Sequence, residues 1–227
     1  MAKILIIGGG FGGIRAALDL DKKLSAKKAE ITLVDKNNFH LFLPDLYEVG
    51  SAVGEWQDRY GVRLKKTVNI PYQDIFEDTK VNFAQAEITG IDLKKKEAVS
   101  GGGHIFPFDY LVFGLGAETD TFGIPGVSEY AYKFKNIDEA IFLNQRINQA
   151  FDRLKNGQHS APIKMIVAGA GFNGIELAGE LACCAKSLQE ACGAKGRCYS
   201  IKIIEAMPQI LPMVLEKERR IIRKRLG

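Results

Sequence analysis

The sequence predicts an α/β fold made of two units, each built on parallel strands. Two observations predict it. An apolar run over residues 4–7 leads into Gly8-Gly9-Gly10-Phe11-Gly12-Gly13, and a second over residues 165–168 leads into Gly169-Ala170-Gly171-Phe172-Asn173-Gly174. Helix-like periodicity follows each glycine stretch. Short apolar runs that feed a glycine turn and then a helix are typical of buried strands in a parallel sheet.

The first glycine stretch has the spacing of a dinucleotide-binding loop. Residues 2–7 are predicted as a buried strand, and a helix is predicted to begin near Phe11. Gly8 allows a tight turn, Gly10 lets the backbone approach a pyrophosphate, and Gly13 lets the helix pack closely on the strand. The helix N-terminus then faces the phosphates, which favours anion binding.

The second stretch repeats this pattern with Gly169, Gly171 and Gly174, after a buried strand predicted over residues 163–168. The gap to its next strand is longer than in the first unit. We expect an inserted loop over residues 192–197 to account for the excess.

Each helix leads to a strand that ends in an acidic residue. The strand predicted over residues 31–34 is followed by Asp35, and the strand predicted over residues 199–204 is followed by Glu205. A carboxylate at this position accepts hydrogen bonds from a ribose, so both units are predicted to be Rossmann-like dinucleotide sites. At Glu205 the negative charge repels the extra phosphate of NADPH, and no arginine follows directly to receive it, which favours NADH.

Two further glutamates begin the second helix. Glu176 and Glu180 are four residues apart and share one helix face. Like charges at this spacing repel, so a functional role and simple solvation of the first turns both stay open.

The middle of the chain predicts a small antiparallel insertion. Its strands are expected over residues 81–83, 86–92, 98–99 and 104–106. A buried strand over 108–113 then runs into glycines and a proline that mark a domain crossover near residues 114–126. A helix is predicted over 137–154. The predicted domains are 1–122 and 123–227.

Composition is that of an ordinary globular chain, with 46% hydrophobic and 26% charged residues and a formal net charge of +4. The basic residues are scattered and not interleaved with aromatics, which argues against nucleic acid as a partner. No uncharged apolar run reaches the roughly 18 residues of a membrane span. The N-terminus lacks a signal-peptide cleavage site, so the expected location is the cytoplasm.

The cysteines favour neither a metal nor a redox site. They lie in one short stretch without a Cys-x-x-Cys spacing: Cys183, Cys184, Cys192 and Cys198. Small buried hydrophobes and a surface thiol are the favoured interpretation.

Several stretches resemble the type II (alternative) NADH dehydrogenases, a family of the flavoprotein superfamily with two dinucleotide-binding domains. They include both glycine stretches, His40-Leu41-Phe42-Leu43-Pro44 and Glu176-Leu177-Ala178-Gly179-Glu180. The resemblance covers nearly the whole chain.

The resemblance implies non-covalent FAD in the first domain, NADH in the second and a quinone acceptor. Hydride would pass from NADH to FAD and electrons to quinone, without proton pumping. The implied cofactor contacts of the first unit are Gly8, Gly10, Phe11, Gly12, Gly13, Asp35, Lys36, His40, Pro44 and Gly116. Those of the second are Gly169, Gly171, Gly174, Glu176 and Glu205. Catalytic roles are implied for Glu180 and Glu176, and no metal is implied.

The chain also departs from the family. Leu115 replaces a threonine of a cofactor-facing turn, and Glu48 stands where glutamine is common. Family members continue past residue 227, so we expect the second domain to be truncated.

Membrane-surface contact is expected only through a C-terminal region absent from this sequence. The basic run over residues 217–225 is expected to be a solvated helix face. Peripheral attachment to the inner face of the cell membrane and homodimerisation are left open.

Two alternatives stay open. One is another flavoprotein reductase of the superfamily, of the sulfide:quinone or ferredoxin reductase type, although sulfide:quinone enzymes need cysteines at the flavin and none here precedes Cys183. The other is a catalytically inert nucleotide-binding fragment.

Overall fold

The computed structural model describes residues 1–52, 66–158, 162–191 and 198–226. Contacts among these residues group into two compact units. The first falls within Met1–Phe42 and Lys66–Gly123, and the second within Leu43–Lys65 and Ile124–Gly227. The nucleotide-binding domain limits predicted from the sequence, 1–122 and 123–227, stay a prediction.

The chain alternates strands and helices, as predicted for an α/β protein. The strands are β1 (Ala2–Ile7), β2 (Ala29–Asp35), β3 (Phe39–Leu41), β4 (Asn69–Pro71), β5 (Val81–Gln85), β6 (Ile88–Asp92), β7 (Glu97–Ser100), β8 (Ile105–Pro107), β9 (Tyr110–Phe113), β10 (Ile163–Ala168) and β11 (Tyr199–Ile204). The helices are α1 (Phe11–Lys23), α2 (Leu46–Ser51), α3 (Tyr72–Phe76), α4 (Val127–Tyr130), α5 (Ile137–Lys155), α6 (Phe172–Ala191) and α7 (Glu216–Leu226).

A parallel sheet in the order β5-β2-β1-β9 forms the centre of the first unit. On one face, Ile4 and Ile6 of β1 pack with Ala17 of α1. On the other face, Leu5 and Ile7 belong to the cluster that includes Ala98 of β7. Successive side chains of a strand point to opposite faces, so a strand covered on both sides must be apolar throughout. This explains the unbroken apolar run of β1.

The predicted antiparallel insertion is present as a sheet in the order β6-β7-β8. The strand expected over 81–83 does not belong to it. Instead β5 pairs in parallel with β2, and Leu33 lies opposite Phe83. Phe83 packs against the core cluster on the α1 face, and that burial fixes its place.

Two strands are less buried than the sequence predicts. Residues 108–113 yield the shorter β9, which in the described part of the chain borders one edge of the sheet, so Tyr110 is 64% and Phe113 58% exposed. The strand over 163–168 is present as β10, but its side chains alternate between partial burial and exposure, and Ile166 is 62% exposed. An apolar run signals a strand without saying how many of its faces are covered.

The second unit is built around the parallel pair β10 and β11. Phe151 of α5, Val167 of β10 and Leu181 of α6 share its core cluster. The predicted helix over 137–154 is present as α5. Its N-terminus carries a capping box, in which the side chain of Asn136 accepts from the Glu139 amide at 2.9 Å and the Glu139 side chain accepts in return.

Helix α2 also belongs to the second unit, although it follows the first glycine loop in the chain. Asn144 Nδ2 of α5 donates to the Ala52 carbonyl at 2.6 Å, directly beyond the end of α2. Asn148 Nδ2 lies 3.3 Å from the same oxygen. A Cβ on Gly50 would come within 2.6 Å of the Phe134 ring, so α2 lies too close to its neighbours for a larger residue there.

Three other expectations concern local features. The inserted loop expected over 192–197 lies outside the described residues. Among the cysteines that are described, all are free: Cys183 is exposed, Cys184 is half-buried and Cys198 is buried. None of the helices in the described ranges combines the length and apolar composition that crossing a membrane requires.

Candidate functional site

The first glycine loop joins β1 to α1 through backbone hydrogen bonds. The Gly8 amide donates to the Val34 carbonyl of β2 at 2.8 Å, and the Ile14 amide donates to the Gly10 carbonyl at 3.0 Å. Gly8 adopts a φ of 101°, a conformation that side-chain-bearing residues rarely adopt. The turn is therefore fixed at both ends, where β1 stops and where α1 starts.

The glycines of this loop fall into two groups according to the space around them. A Cβ on Gly13 would lie 1.8 Å from the Gly8 carbonyl oxygen, and one on Gly9 would lie 2.0 Å from the Tyr72 hydroxyl. These glycines are required by packing. A Cβ on Gly10 would meet only the Gly114 oxygen at 4.0 Å, and one on Gly12 would meet nothing within 4 Å. Gly10 and Gly12 therefore face open space at the N-terminus of α1.

The second loop repeats these bonds between β10 and α6. The Gly169 amide donates to the Ile204 carbonyl at 2.8 Å, and the Ile175 amide donates to the Gly171 carbonyl at 3.1 Å. Gly169 has a φ of 99°. A Cβ on Gly174 would lie 1.9 Å from the Gly169 oxygen, whereas one on Gly171 would meet nothing within 4 Å. The same division between packed and open glycines recurs in the second unit.

Each loop is closed by the acidic residue that ends the next strand. The Gly9 amide donates to Asp35 Oδ2 at 2.6 Å, and the Asn37 amide donates to Oδ1 at 2.8 Å. In the second unit the Ala170 amide donates to Glu205 Oε2 at 2.7 Å, and the Met207 amide donates to Oε1 at 2.9 Å. A carboxylate accepts about four hydrogen bonds, so each keeps capacity for a further ligand.

These contacts also affect titration at Glu205. Hydrogen bonds from the Met207 and Ala170 amides lower the pKa of the Glu205 carboxyl. The carboxylate is therefore ionised at neutral pH and available to accept from a hydroxyl group.

The carbonyl at the centre of each loop is held differently. Tyr72 OH donates to the Gly9 oxygen at 2.7 Å, and His40 Nδ1 lies 3.0 Å from the same atom. Burial, together with the charge of Asp35, raises the pKa of Tyr72, which keeps it a hydrogen-bond donor. The corresponding Ala170 carbonyl accepts from the Leu211 amide at 3.0 Å.

The sequence pattern does not reveal Tyr72. It lies 63 residues beyond Gly9, outside both glycine stretches and outside the stretches that resemble the family. Its burial and its aromatic contact with Phe83, with ring centroids 4.6 Å apart, depend on the folded sheet.

The remaining residues predicted for the first site are more dispersed. Phe11 is 51% exposed and meets the His40 ring edge-on, with centroids 4.7 Å apart. Lys36 is exposed directly after Asp35. Gly116, three residues beyond β9, has a φ of 70° and open space around it. Pro44 is exposed in a short 3₁₀ turn, Leu43–Asp45, that belongs to the second unit.

The two glutamates of α6 have different surroundings. Glu176 is exposed, and its carboxylate lies near enough to the Tyr47 side chain of α2 to affect the titration of the Tyr47 hydroxyl. Burial and this carboxylate raise the pKa of Tyr47 to about 12. The Tyr47 ring stacks on Phe134, with centroids 5.6 Å apart. Glu180, one turn further along, is half-buried. Tyr47 lies in a stretch, Leu46-Tyr47-Glu48-Val49, that resembles the family, but the sequence predicts no role for it.

The residues present fit two dinucleotides. Each loop offers an open glycine at a helix N-terminus, where backbone amides and the helix dipole favour a pyrophosphate, and an ionisable carboxylate beside it for a ribose. Across the part of the chain that the structure describes, no group of three His, Cys, Asp or Glu residues could hold a metal ion. Burial raises the pKa of the Cys184 thiol, which disfavours the reactive thiolate.

The fold and its paired loops define a two-unit Rossmann-like α/β protein, which confirms the predicted fold class. The family model for pyridine nucleotide-disulphide oxidoreductases matches residues 2–227. The chain therefore belongs to the pyridine nucleotide-disulphide oxidoreductase family.

Relatives show a narrower similarity. The type II NADH:quinone oxidoreductase of Staphylococcus saprophyticus is 34% identical over 213 residues, covering 93% of this chain and 50% of the relative. That of Staphylococcus aureus strain NCTC 8325 is 33% identical over 217 residues, covering 95% and 52%. The chain thus spans about half the length of the curated relatives it matches.

The fold is also found among solved structures. NDH2 from Plasmodium falciparum, solved in complex with NADH, superposes with a TM-score of 0.80 at 24% identity, covering 98% of this chain and 45% of that one. This likeness is one of fold.

The two classes of glycine predict opposite effects of an added methyl group. Gly13→Ala forces a clash with the Gly8 carbonyl and should lower the free energy of unfolding by about 1–3 kcal/mol. Gly12→Ala has free space and replaces a helical glycine, so it should raise stability by up to about 1 kcal/mol. Urea denaturation followed by circular dichroism distinguishes the two, and equal effects would contradict the packing argument.

The lowered pKa of Glu205 predicts an acid-sensitive contribution to stability. Because the folded-state pKa is below the unfolded value, the contribution is complete above about pH 5 and is lost as pH falls through the lowered pKa. The difference in unfolding midpoint between the wild type and Glu205→Gln should therefore be constant near neutrality and shrink in acid. Thermal denaturation from pH 7 to pH 3 measures it, and a pH-independent difference would argue against the two amide bonds.

Proposed function

We propose that this chain is the dinucleotide-binding part of a type II, FAD-dependent NADH:quinone oxidoreductase. The observation that carries the proposal is the pair of glycine loops, each open at a helix N-terminus and each closed by a carboxylate. Identities of 33–34% with type II NADH:quinone oxidoreductases support the same reaction.

The first loop is the proposed FAD site. The N-terminal amides of α1 would bind the pyrophosphate in front of Gly10 and Gly12, and Asp35 would accept from the ribose. FAD, when bound, supplies hydride acceptance from NADH and electron transfer to a quinone, while the protein supplies binding, orientation and electrostatics. The resemblance adds the remaining proposed contacts: Gly8, Phe11, Gly13, Lys36, His40, Pro44 and Gly116.

The buried pair His40 and Tyr72 would act through the loop. Both contact the Gly9 carbonyl, which holds the Gly9 amide on Asp35. The direction of the Asp35 carboxylate is thereby fixed before any ligand arrives, and preorganisation of this kind reduces the ordering cost of binding.

The second loop is the proposed NADH site. Gly169 and Gly174 would shape the turn, and Gly171 would admit the pyrophosphate. Glu205 would accept from the ribose hydroxyls, and its negative charge would repel the additional phosphate of NADPH.

Glu176 and Glu180 are the proposed catalytic pair. Tyr47 stays protonated at neutral pH because its pKa is raised to about 12, so it would be available to donate to the Glu176 carboxylate at neutral pH. Glu176 would thus be held in one direction toward NADH. Glu180, half-buried, is the proposed proton-relay group.

The setting proposed for the whole protein follows from the family resemblance. Quinone would be the electron acceptor, and the protein would lie in the cytoplasm or peripherally on the inner face of the cell membrane. Homodimerisation is part of the same proposal. A sulfide:quinone or ferredoxin-type reductase and an inert nucleotide-binding fragment are the alternatives that an experiment must separate.

The proposed function is tested by absorbance titration of the purified chain. We expect FAD to bind and to be bleached faster by NADH than by NADPH. In Glu205→Gln the ratio of these two bleaching rates should fall, because the charge that repels the additional phosphate of NADPH is gone. Bleaching by sulfide would favour the sulfide:quinone alternative. A colourless chain that binds no FAD, and therefore shows no bleaching by NADH, would support the inert-fragment alternative.

Tyr47→Phe tests the proposed role of Glu176. Loss of the donor releases the exposed carboxylate, so the Kd for NADH should rise about three- to tenfold, the range that corresponds to the net contribution of a typical hydrogen bond. NADH fluorescence titration provides the measurement. Tyr132→Phe is the matched control, since Tyr132 lies in the same unit and is 51% exposed. An unchanged Kd in Tyr47→Phe would remove Tyr47 from the mechanism.

A further inference from the structure

Arg219 on α7 is a buried cation. It is the one lysine or arginine that is buried in the described ranges, and its side chain is 7% exposed. The run of basic residues around it predicts a solvated helix face, and at Arg219 that prediction is wrong. Burying a guanidinium costs free energy unless hydrogen bonds compensate, so its partners indicate its role.

Those partners lie on the segment that follows Glu205. Arg219 Nη1 donates to Gln209 Oε1 at 2.6 Å, and Nη2 donates to the Val214 carbonyl at 2.6 Å. Nη1 also pairs with Glu216 of its own helix. We call this set of residues, Arg219 with Gln209, Val214 and Glu216, the Arg219 clasp. The planar guanidinium of Arg219 thus binds Gln209 and Val214, which are five residues apart, at the same time. A lysine has a single terminal nitrogen and could not reproduce this arrangement.

The clasp encloses a residue in an unfavourable conformation. Leu211 has a φ of 45°, in the left-handed region that residues with a Cβ seldom occupy, and it is 1% exposed. The Val214 amide donates to the Leu211 carbonyl at 3.0 Å, which links Leu211 directly to the clasp. Such a conformation persists only where the surrounding structure enforces it.

Leu211 in turn holds the second glycine loop. Its amide donates to the Ala170 carbonyl at 3.0 Å, and the Ala170 amide donates to Glu205 Oε2 at 2.7 Å. A continuous set of bonds therefore runs from Arg219 through Leu211 and Ala170 to the carboxylate that ends β11.

We propose that Arg219 is a positioning residue of the second dinucleotide site, which fixes the segment 206–215 and thereby directs the Glu205 carboxylate toward the ribose. Naming NADH as the ligand rests on the proposed function. Arg219 acts through Leu211 and Ala170 without touching the ligand. Its loss should therefore weaken NADH binding and also reduce discrimination against NADPH, which depends on where the Glu205 charge lies.

The first site provides an internal comparison. There the equivalent carbonyl, that of Gly9, is held by Tyr72 and His40 instead of by a distant clasp. Removing Arg219 should leave FAD binding unchanged, because no bond of the clasp reaches that loop.

Arg223 provides a matched control on the same helix. It lies one turn beyond Arg219, its side chain is 49% exposed, and its Nη1 is 3.8 Å from Glu216 Oε1. Arg223→Ala removes the same charge from the same helix and, of the clasp contacts, touches only Glu216, leaving the bonds of Arg219 to Gln209 and Val214 in place. It therefore separates an effect of net charge from an effect of position.

The experiment compares Arg219→Ala, Arg219→Lys and Arg223→Ala in the full chain. Fluorescence titration gives Kd for NADH, NADPH and FAD, and circular dichroism monitors folding. We expect the Kd for NADH to rise about tenfold or more in both Arg219 variants and less than about twofold in Arg223→Ala. The ratio of the Kd for NADPH to the Kd for NADH should fall only in the two Arg219 variants. The Kd for FAD should stay unchanged in all three variants. Added guanidinium ion, kept below denaturing concentration, should restore NADH affinity in Arg219→Ala alone.

Several results would overturn the inference. Wild-type NADH affinity in the Arg219 variants would remove Arg219 from the site while leaving the proposed function intact. Equal losses at positions 219 and 223 would assign the effect to charge. If Arg219→Ala fails to fold, Arg219→Lys decides, because it keeps the charge and loses only the planar fork. A wild-type chain that does not bind NADH would refute the proposed function and this inference together.

Discussion

The hydrogen bond between the second amide of each glycine loop and the carboxylate at the end of the next strand organises both units. It joins Gly9 to Asp35 at 2.6 Å and Ala170 to Glu205 at 2.7 Å. The bond connects the end of one strand, the start of a helix and the end of the neighbouring strand. It also leaves one side of each loop open, because the glycines at positions 10, 12 and 171 face free space. The ligand recognition proposed for each unit depends on this shared geometry.

The two loops differ in how the carbonyl of the same residue is held. Buried side chains, Tyr72 and His40, contact the Gly9 carbonyl, so the first loop is secured from within its own core. A backbone amide, that of Leu211, holds the Ala170 carbonyl, and the segment carrying it is tied to the guanidinium of Arg219. Two sites with the same fingerprint are thus supported by unrelated parts of the sequence. The backbone hydrogen bonds within the loop are the same in both units, whereas the contacts that hold the loop carbonyl differ between them.

The second unit also takes structure from the region between the fingerprints. Helix α2 follows the first loop in the chain, yet its C-terminal end is held by Asn144 and Asn148 of α5. Tyr47, carried on α2, lies near Glu176 at the start of α6, and burial together with that carboxylate raises the pKa of Tyr47. The second fingerprint helix therefore has a neighbour some 130 residues earlier in the sequence.

The sequence by itself determined the α/β class, both glycine loops, the closing carboxylates and the limits of β1, α5 and β11, because these depend on short-range periodicity and on backbone conformations that few residues other than glycine adopt. Only the tertiary structure decided how deeply β9 and β10 are buried, since an apolar run does not show whether a strand is covered on both faces. It also decided that β5 joins the parallel sheet, that Tyr72 contacts the Gly9 carbonyl, and that Arg219 is buried against the segment that follows Glu205. Their partners lie far away in sequence or in irregular segments, and a charge run such as that of α7 looks the same whether one arginine is buried or exposed. Contacts between distant side chains follow from packing, which no local pattern encodes.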